Sequence, residues 1–258
     1  MGATGYEPLN TPKPVAEGIW VIDGPAVPVR GMPFSTRATV VRLENGGLWV
    51  HSPTLLTDAL QAQIAALGPV RHLVAPTRLH HAHITDWQAA FPGALAWAAP
   101  GVAEHAAKKG MTLRFDHELG PEAEVPWAGQ IDQLIVEGSK TRREAVFFHR
   151  ASETLILAAL IANFETAKLP VWMRPIIWIA GIDDSDGKMP PGMAFSFRDK
   201  RKLADSVERM IGWGPGRLIL AHGRWYDRGA VRELERAFRR ILRDRLWDRA
   251  LTDAKRRG

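Results

Sequence analysis

Between residues 48 and 109, short apolar runs alternate with helical repeats, and this alternation narrows the choice of fold more than any other feature of the chain. "LWVH" (Leu48 to His51), "RHLVA" (Arg71 to Ala75) and "LAWA" (Leu95 to Ala98) are apolar and bounded by turn residues, so they read as strands. After the first, Leu55, Leu56, Ala59, Leu60, Ile64 and Leu67 recur at helical spacing, with Thr54 or Thr57 as the cap and Gly68-Pro69 as the stop. Further helices are expected at about Thr85 to Phe91 and at Val102 to Lys109. Strand–helix alternation of this kind builds an α/β sheet, and loops leaving the C-terminal ends of such strands carry chemistry.

The flanking sequence extends this frame. Gly18 to Asp23 and Phe34 to Leu43 are rich in β-branched and aromatic residues, and the "ENGG" turn joins the second of them antiparallel to Leu48–His51. From Ile131, strands follow at Gln133 to Glu137, Ala145 to His149 and Thr154 to Ala158. A charged helix at Asp199 to Ile211, a strand at Arg217 to Ala221 and a final helix from about Ala230 complete the chain. Each half runs hairpins first and helices after, which predicts two sheets packed together with helices outside. Residues 1–17 read as an N-terminal arm, 18–242 as one domain without a linker or repeat, and 243–258 as the basic end of the last helix.

The chain contains no cysteine, which excludes disulfides, thiolate metal sites and a cysteine nucleophile. Any metal must be held by His, Asp or Glu. The net charge of +6 invites a nucleic-acid reading, but residues 228–258 carry eleven basic and five acidic side chains, and the rest of the chain is neutral overall. A solvated C-terminal helix face accounts for the charge, and nucleic acid is not expected as a partner. The first residues lack the basic and apolar regions of a secretion signal, so a cytoplasmic location is expected. Leu169 to Ile182 (LPVWMRPIIWIAGI) is too short to span a bilayer; it reads as a buried or lid-forming segment, with a membrane-interface or dimer contact as the alternative. The "DDSDGKMPPG" that follows is expected to be a mobile loop.

"TRLHHAHITDW" (residues 77–87) places His80, His81 and His83 in the loop after a strand, and His222 follows another strand in "LILAHG". Three neutral imidazoles converging on one point hold zinc without sulfur, and a catalytic site keeps a further position open for water. His81 and His83 are expected to project to one side of the loop and His80 to the other. His51 and His72 read as histidines satisfied by neighbouring hydrogen bonds, and His149 as a residue that could face the same rim. Ser52 lacks the glycines of a nucleophile elbow, and neither "GWGPG" nor "ENGG" matches a phosphate-binding loop.

Taken in order, "GLWVHSP", "GPVRHLVAPTRLHHAHITDW", "FPGALAWAAPG", "WAGQIDQLIVEG", "EAVFFHRASETLIL" and "LILAHG" resemble a domain-of-unknown-function family within the metallo-β-lactamase fold superfamily, over roughly residues 18–242. The resemblance implies an αββα sandwich of two mixed sheets flanked by helices, with a site at their shared rim. The superfamily motif T-H-x-H-x-D-H falls on Thr77 to His83, where Arg78 replaces the first histidine and Ala82 the aspartate while His80 and His83 remain. A shifted register, His81-Ala82-His83-Ile84-Thr85-Asp86, would recover an aspartate. The third-strand histidine falls near Ser139, the bridging aspartate at Ala159, and His222 matches the last metal histidine.

Two dications about 3.5–4 Å apart need a bridging carboxylate, so a dinuclear centre is not expected. The expectation is one divalent metal (zinc, iron or manganese) on His80, His83 and His222, or none, with Arg78, His81 and Asp86 as supporting or substrate-binding residues. The function implied is hydrolysis of an ester, thioester, lactone or phosphoester by metal-bound water. Its alternative is a non-catalytic protein that binds a small molecule or partner after losing the metal centre. Peripheral membrane contact and a homo-oligomer are the further partner expectations.

Overall fold

The computed structural model describes residues 5–29 and 31–257. Among these, seven strands form one sheet in sequence order: β1 Lys13–Ala16, β2 Ile19–Val29, β3 Met32–Arg42, β4 Leu48–His51, β5 Val70–Ala75, β6 Leu95–Ala98 and β7 His117–Glu118. The second sheet takes β8 Ile131–Ile135, β9 Ala145–His149, β10 Thr154–Ile156 and β11 Arg217–Ile219, in the order β11-β10-β9-β8. Both sheets are mixed. β3 pairs antiparallel with β4 as the Asn-Gly turn requires, β4 to β7 run parallel, and β11 joins β10 parallel.

Period-two alternation explains the layers. In β9, Ala145 and Phe147 enter the core shared with the first sheet, while Val146 and Phe148 face the outer helices. Trp49 on β4 meets Phe147 on β9 edge-on at 4.8 Å and so fastens one sheet to the other, and Trp97 on β6 meets Trp127, in the turn before β8, at 4.8 Å. Strands β4 and β5 are buried along nearly their whole length because α1, Asp58–Leu67, covers their other face with Leu60 and Ile64. Thr57 is its cap, its Oγ1 accepting the N–H of Leu60 at 3.2 Å, while the carbonyl of Thr54 accepts from the indole of Trp87. α2 Ile84–Ala90 and α3 Val102–Lys108 complete that half. On the other side lie α5 Pro191–Ala194, α6 Lys200–Gly212, α7 Ala230–Ala237 and α8 Arg239–Arg257, while α4 Arg174–Ala180 packs on Phe164 and Phe34. Leu203, Val207 and Met210 of α6 and Leu234 of α7 pack on the second sheet. The αββα sandwich is therefore as the sequence implies.

Several local expectations change. The N-terminal arm ends in an edge strand, β1, and Lys13 reaches Asp23 at 2.7 Å. The β2–β3 hairpin runs past its prolines, with a bulge between Gly24 and Val27 absorbing Pro25. The final helix breaks at Phe238, and α8 turns its arginines to α6 through Arg245–Asp205 and Arg249–Glu208. The acidic loop expected to be mobile is tied down instead, because Arg236 and Arg239, distant in sequence, both bind Asp186. The segment 169–182 is only half-buried: Leu169, Met173 and Ile177 pack on Phe164 and Phe34, whereas Trp178 and Ile179 on α4 are 70% and 79% exposed. No helix among the described residues is long and apolar enough to cross a membrane.

Candidate functional site

Strands β5 and β11 release their loops at the same rim of the sandwich, and this brings His80 and His222 together with ring centroids 5.2 Å apart. His222 is oriented from the first sheet: its Nδ1 lies 2.8 Å from the carbonyl oxygen of Ser35, which can only accept. The neutral ring therefore carries its proton on Nδ1 and leaves Nε2 bare. Phe34 meets the ring edge-on at 5.4 Å and Phe164 stacks at 6.4 Å. His80 Nδ1 sits 2.6 Å from Thr77 Oγ1, which also accepts the N–H of Leu79.

The loop of His222 is held by a buried ion pair. Arg37 on β3 binds Asp23 on β2 at 2.7 Å and donates through Nη1 to the carbonyls of Leu220 and Gly223. Gly223 has φ +85° and lies so close to Asn163 that a Cβ would fall 1.9 Å from that residue's carbonyl oxygen. Only glycine fits there.

Burial keeps these imidazoles neutral. His222 is pushed down to about 4, mainly by burial and also by the nearby Arg37 charge, against the opposing bond to Ser35. Burial holds His80 well below the ordinary histidine range, with His222, His51 and His81 adding to the effect. His51, at the end of β4, is pushed to about 3 by burial alone; it stacks on Trp49 at 5.8 Å. Its Nε2 has no hydrogen-bond partner among the described residues, contrary to the expectation that neighbours satisfy it. His72 does have one, since the indole N–H of Trp97 donates to its Nδ1 at 3.2 Å.

The remaining candidates lie apart from the pair. His83 precedes α2 and its Nδ1 is 3.4 Å from Asp86 Oδ2, so these two residues engage each other at the start of that helix. His81 and His83 do not share a side: His81 is buried within electrostatic reach of His105 on α3, while His83 is half-buried beside Asp86. Arg78 is half-buried with the Arg142 charge nearby. His149 is at the opposite end of its sheet, because β9 runs antiparallel to β10 and pairs it with Thr154.

Where the superfamily pattern places a bridging aspartate, Ala159 is joined to Glu144, a residue the sequence reading did not single out. The fully buried Glu144 carboxylate accepts the N–H groups of Ala158 at 2.7 Å and Ala159 at 2.9 Å. Burial raises its pKa to about 7 in spite of these bonds. A carboxyl spent on backbone N–H groups is a brace for the rim. Nothing in the local sequence "RREAVFF" distinguishes it from a surface acid.

A resident metal, which the fold family implies, does not fit this donor set. Among the described residues, no group of three or more His, Asp or Glu side chains is arranged to hold a metal ion. Arg78, Ala82, Ser139 and Ala159 offer no ligand atom of the usual kind at the motif positions.

Layers, topology and rim define a protein of the metallo-β-lactamase fold, and solved structures agree. The DIM-1 metallo-β-lactamase superposes with a TM-score of 0.62 at 13% identity, covering 88% of this chain and 95% of that one. A metallo-β-lactamase from Hirschia baltica gives 0.56 at 16% identity over 87% and 95%. The FIM-1 enzyme from Pseudomonas aeruginosa, solved in a mono-zinc form, gives 0.57 at 15% identity over 90% and 96%. Residues 17–237 match the family described as a domain of unknown function, DUF4336, and the chain belongs to that family. No curated protein sequence matches it.

Proposed function

We propose that this chain is a non-catalytic small-molecule-binding member of the metallo-β-lactamase fold, in which the neutral His80–His222 pair stands where the fold usually keeps a metal centre. One observation carries the reading: of the three candidate ligands, only His80 and His222 converge, and His83 is engaged with Asp86. Two half-buried neutral imidazoles beside the half-buried Phe34 offer hydrogen bonds and apolar contact to a ligand without a fixed charge.

A second reading, a mononuclear metal-dependent hydrolase of an ester, thioester, lactone or phosphoester, is favoured by the bare Nε2 of His222. The nitrogen opposite an N–H···O=C bond is the one that a metal-binding histidine presents. Elemental mass spectrometry on untagged protein, beside a His80→Ala/His222→Ala variant, separates the two. Negligible metal in both proteins is the expected result. About one equivalent of zinc, iron or manganese, lost in the variant, would overturn the binding-protein reading and call for hydrolase assays.

A further inference from the structure

A cleft of about 1010 Å³ opens between the β7 edge of the first sheet, the turn joining β8 to β9 and the start of α6. None of Arg78, His80 or His222 lines it. Leu119, Pro121 and Ile135 provide an apolar wall, and Phe195 stands on the lining with 84% of its surface exposed.

The charges on this cleft are unequal once internal pairs are set aside. Glu137 is taken by Lys202 at 3.2 Å, and Asp199 accepts the N–H groups of Arg201 and Lys202 as the cap of α6. Lys140, Arg143 and Arg198 have exposed side chains with no ion pair or hydrogen bond among the described residues, against the two carboxylates of Glu118 and Asp199, an excess of one positive charge. A concave surface lined by an excess of one sign focuses the field on an oppositely charged ligand.

The turn carrying two of these cations is fixed in place. Ser139 is buried; its Oγ accepts the N–H of Arg142 at 3.0 Å and lies 3.1 Å from Ser196 Oγ. Gly138, at φ +104°, packs so tightly on α6 that a Cβ would lie 2.4 Å from the carbonyl oxygen of Asp199. Lys140 and Arg143 are thus displayed from a braced turn, on a cleft that Arg198 also lines. The volume also suits a small organic ligand.

We propose that this cleft is a second binding site, for an organic anion. The apolar or aromatic body of the ligand lies on Pro121, Ile135 and Phe195. Its carboxylate, sulfonate or phosphate group is held by Lys140, Arg143 and Arg198, with the arginines supplying the planar fork suited to such oxyanions. The site is independent of whatever the histidine pair binds.

The test is fluorescence titration of the full chain with 1-anilinonaphthalene-8-sulfonate, an aromatic anion, beside the neutral analogue N-phenyl-1-naphthylamine. Lys140→Ala/Arg143→Ala/Arg198→Ala should weaken the sulfonate by about tenfold or more, the scale of lost charge-assisted hydrogen bonds, and leave the neutral dye unchanged. These side chains are exposed, so the variant should fold, and its far-ultraviolet circular dichroism should match the parent. Trp172→Ser/Trp178→Ser should keep the binding. Equal affinity in the triple variant, loss in the tryptophan variant instead, or no saturable binding by the parent would each overturn the proposal.

Discussion

Arg37→Met asks how much the loop carrying His222 depends on one buried charge. In the native chain Arg37 is fully buried, binds Asp23 at 2.7 Å and donates to the carbonyls of Leu220 and Gly223, on either side of the site histidine. Methionine fills most of the same volume but leaves those acceptors unsatisfied and Asp23 with Lys13 alone. Removing one partner of a buried pair costs about 3–5 kcal/mol. For a chain of this size that lowers the melting temperature by roughly 6–20 °C, at 2–4 °C per kcal/mol. Urea unfolding gives the free energy directly, and nitrogen NMR of the imidazoles reads whether His222 Nδ1 keeps its proton toward Ser35. Asp23→Leu/Arg37→Met should recover part of the loss, because no unpaired carboxylate is left buried, while the carbonyls of Leu220 and Gly223 stay unsatisfied and the partly exposed Lys13 turns to solvent. A single-variant cost below about 1 kcal/mol, the value of a surface pair, would refute the view that this pair holds the rim.

Acid should destabilise the fold between about pH 6.5 and 4. His51 and His72 are held at about 3 and about 4 in the native state, so the unfolded chain binds more protons in that window and stability rises with pH, by about 1.4 kcal/mol per pH unit for each residue. Glu144 acts in the opposite sense, its raised pKa favouring the native state as pH falls from about 7, so Glu144→Gln should steepen the acid transition seen in urea titrations from pH 4 to 8. Gly223→Ala should lower the midpoint of urea unfolding through a clash with Asn163 at a left-handed backbone position, and an unchanged midpoint would show that the loop can move. Trp172→Ser/Trp178→Ser removes exposed rings and should leave the melting temperature within about 2 °C of the parent.

The apolar face formed by Val171, Trp172, Ile176, Trp178 and Ile179 shows how expectation and structure part company at one segment. The composition of residues 169–182 suits burial, and Leu169, Met173 and Ile177 are buried, but the prolines and the 3-10 turn at Val171–Met173 divide the segment into an inner and an outer side. Periodicity over so few residues carries too little information to tell those sides apart. The histidine loop differed for a related reason. The spacing of His80, His81 and His83 is plain in the sequence, yet the bonds of Thr77 to His80 and of Asp86 to His83 send neighbouring rings to different partners.

Strand–helix alternation, the Asn-Gly turn and the ordered family segments by themselves determined the sandwich, its two halves and the rim where His80 and His222 would lie. The strands, helices and two halves depend on local signals of period two and period 3.6, which a linear chain displays in full; the sandwich and its rim are what the family resemblance implies. The tertiary structure alone decided which imidazoles converge, that Glu144 braces the place of a lost ligand, and that Lys140, Arg143 and Arg198 share one cleft. Contacts between residues far apart in sequence depend on packing two sheets and their helices to within fractions of an ångström, and no local pattern encodes a distance of that kind.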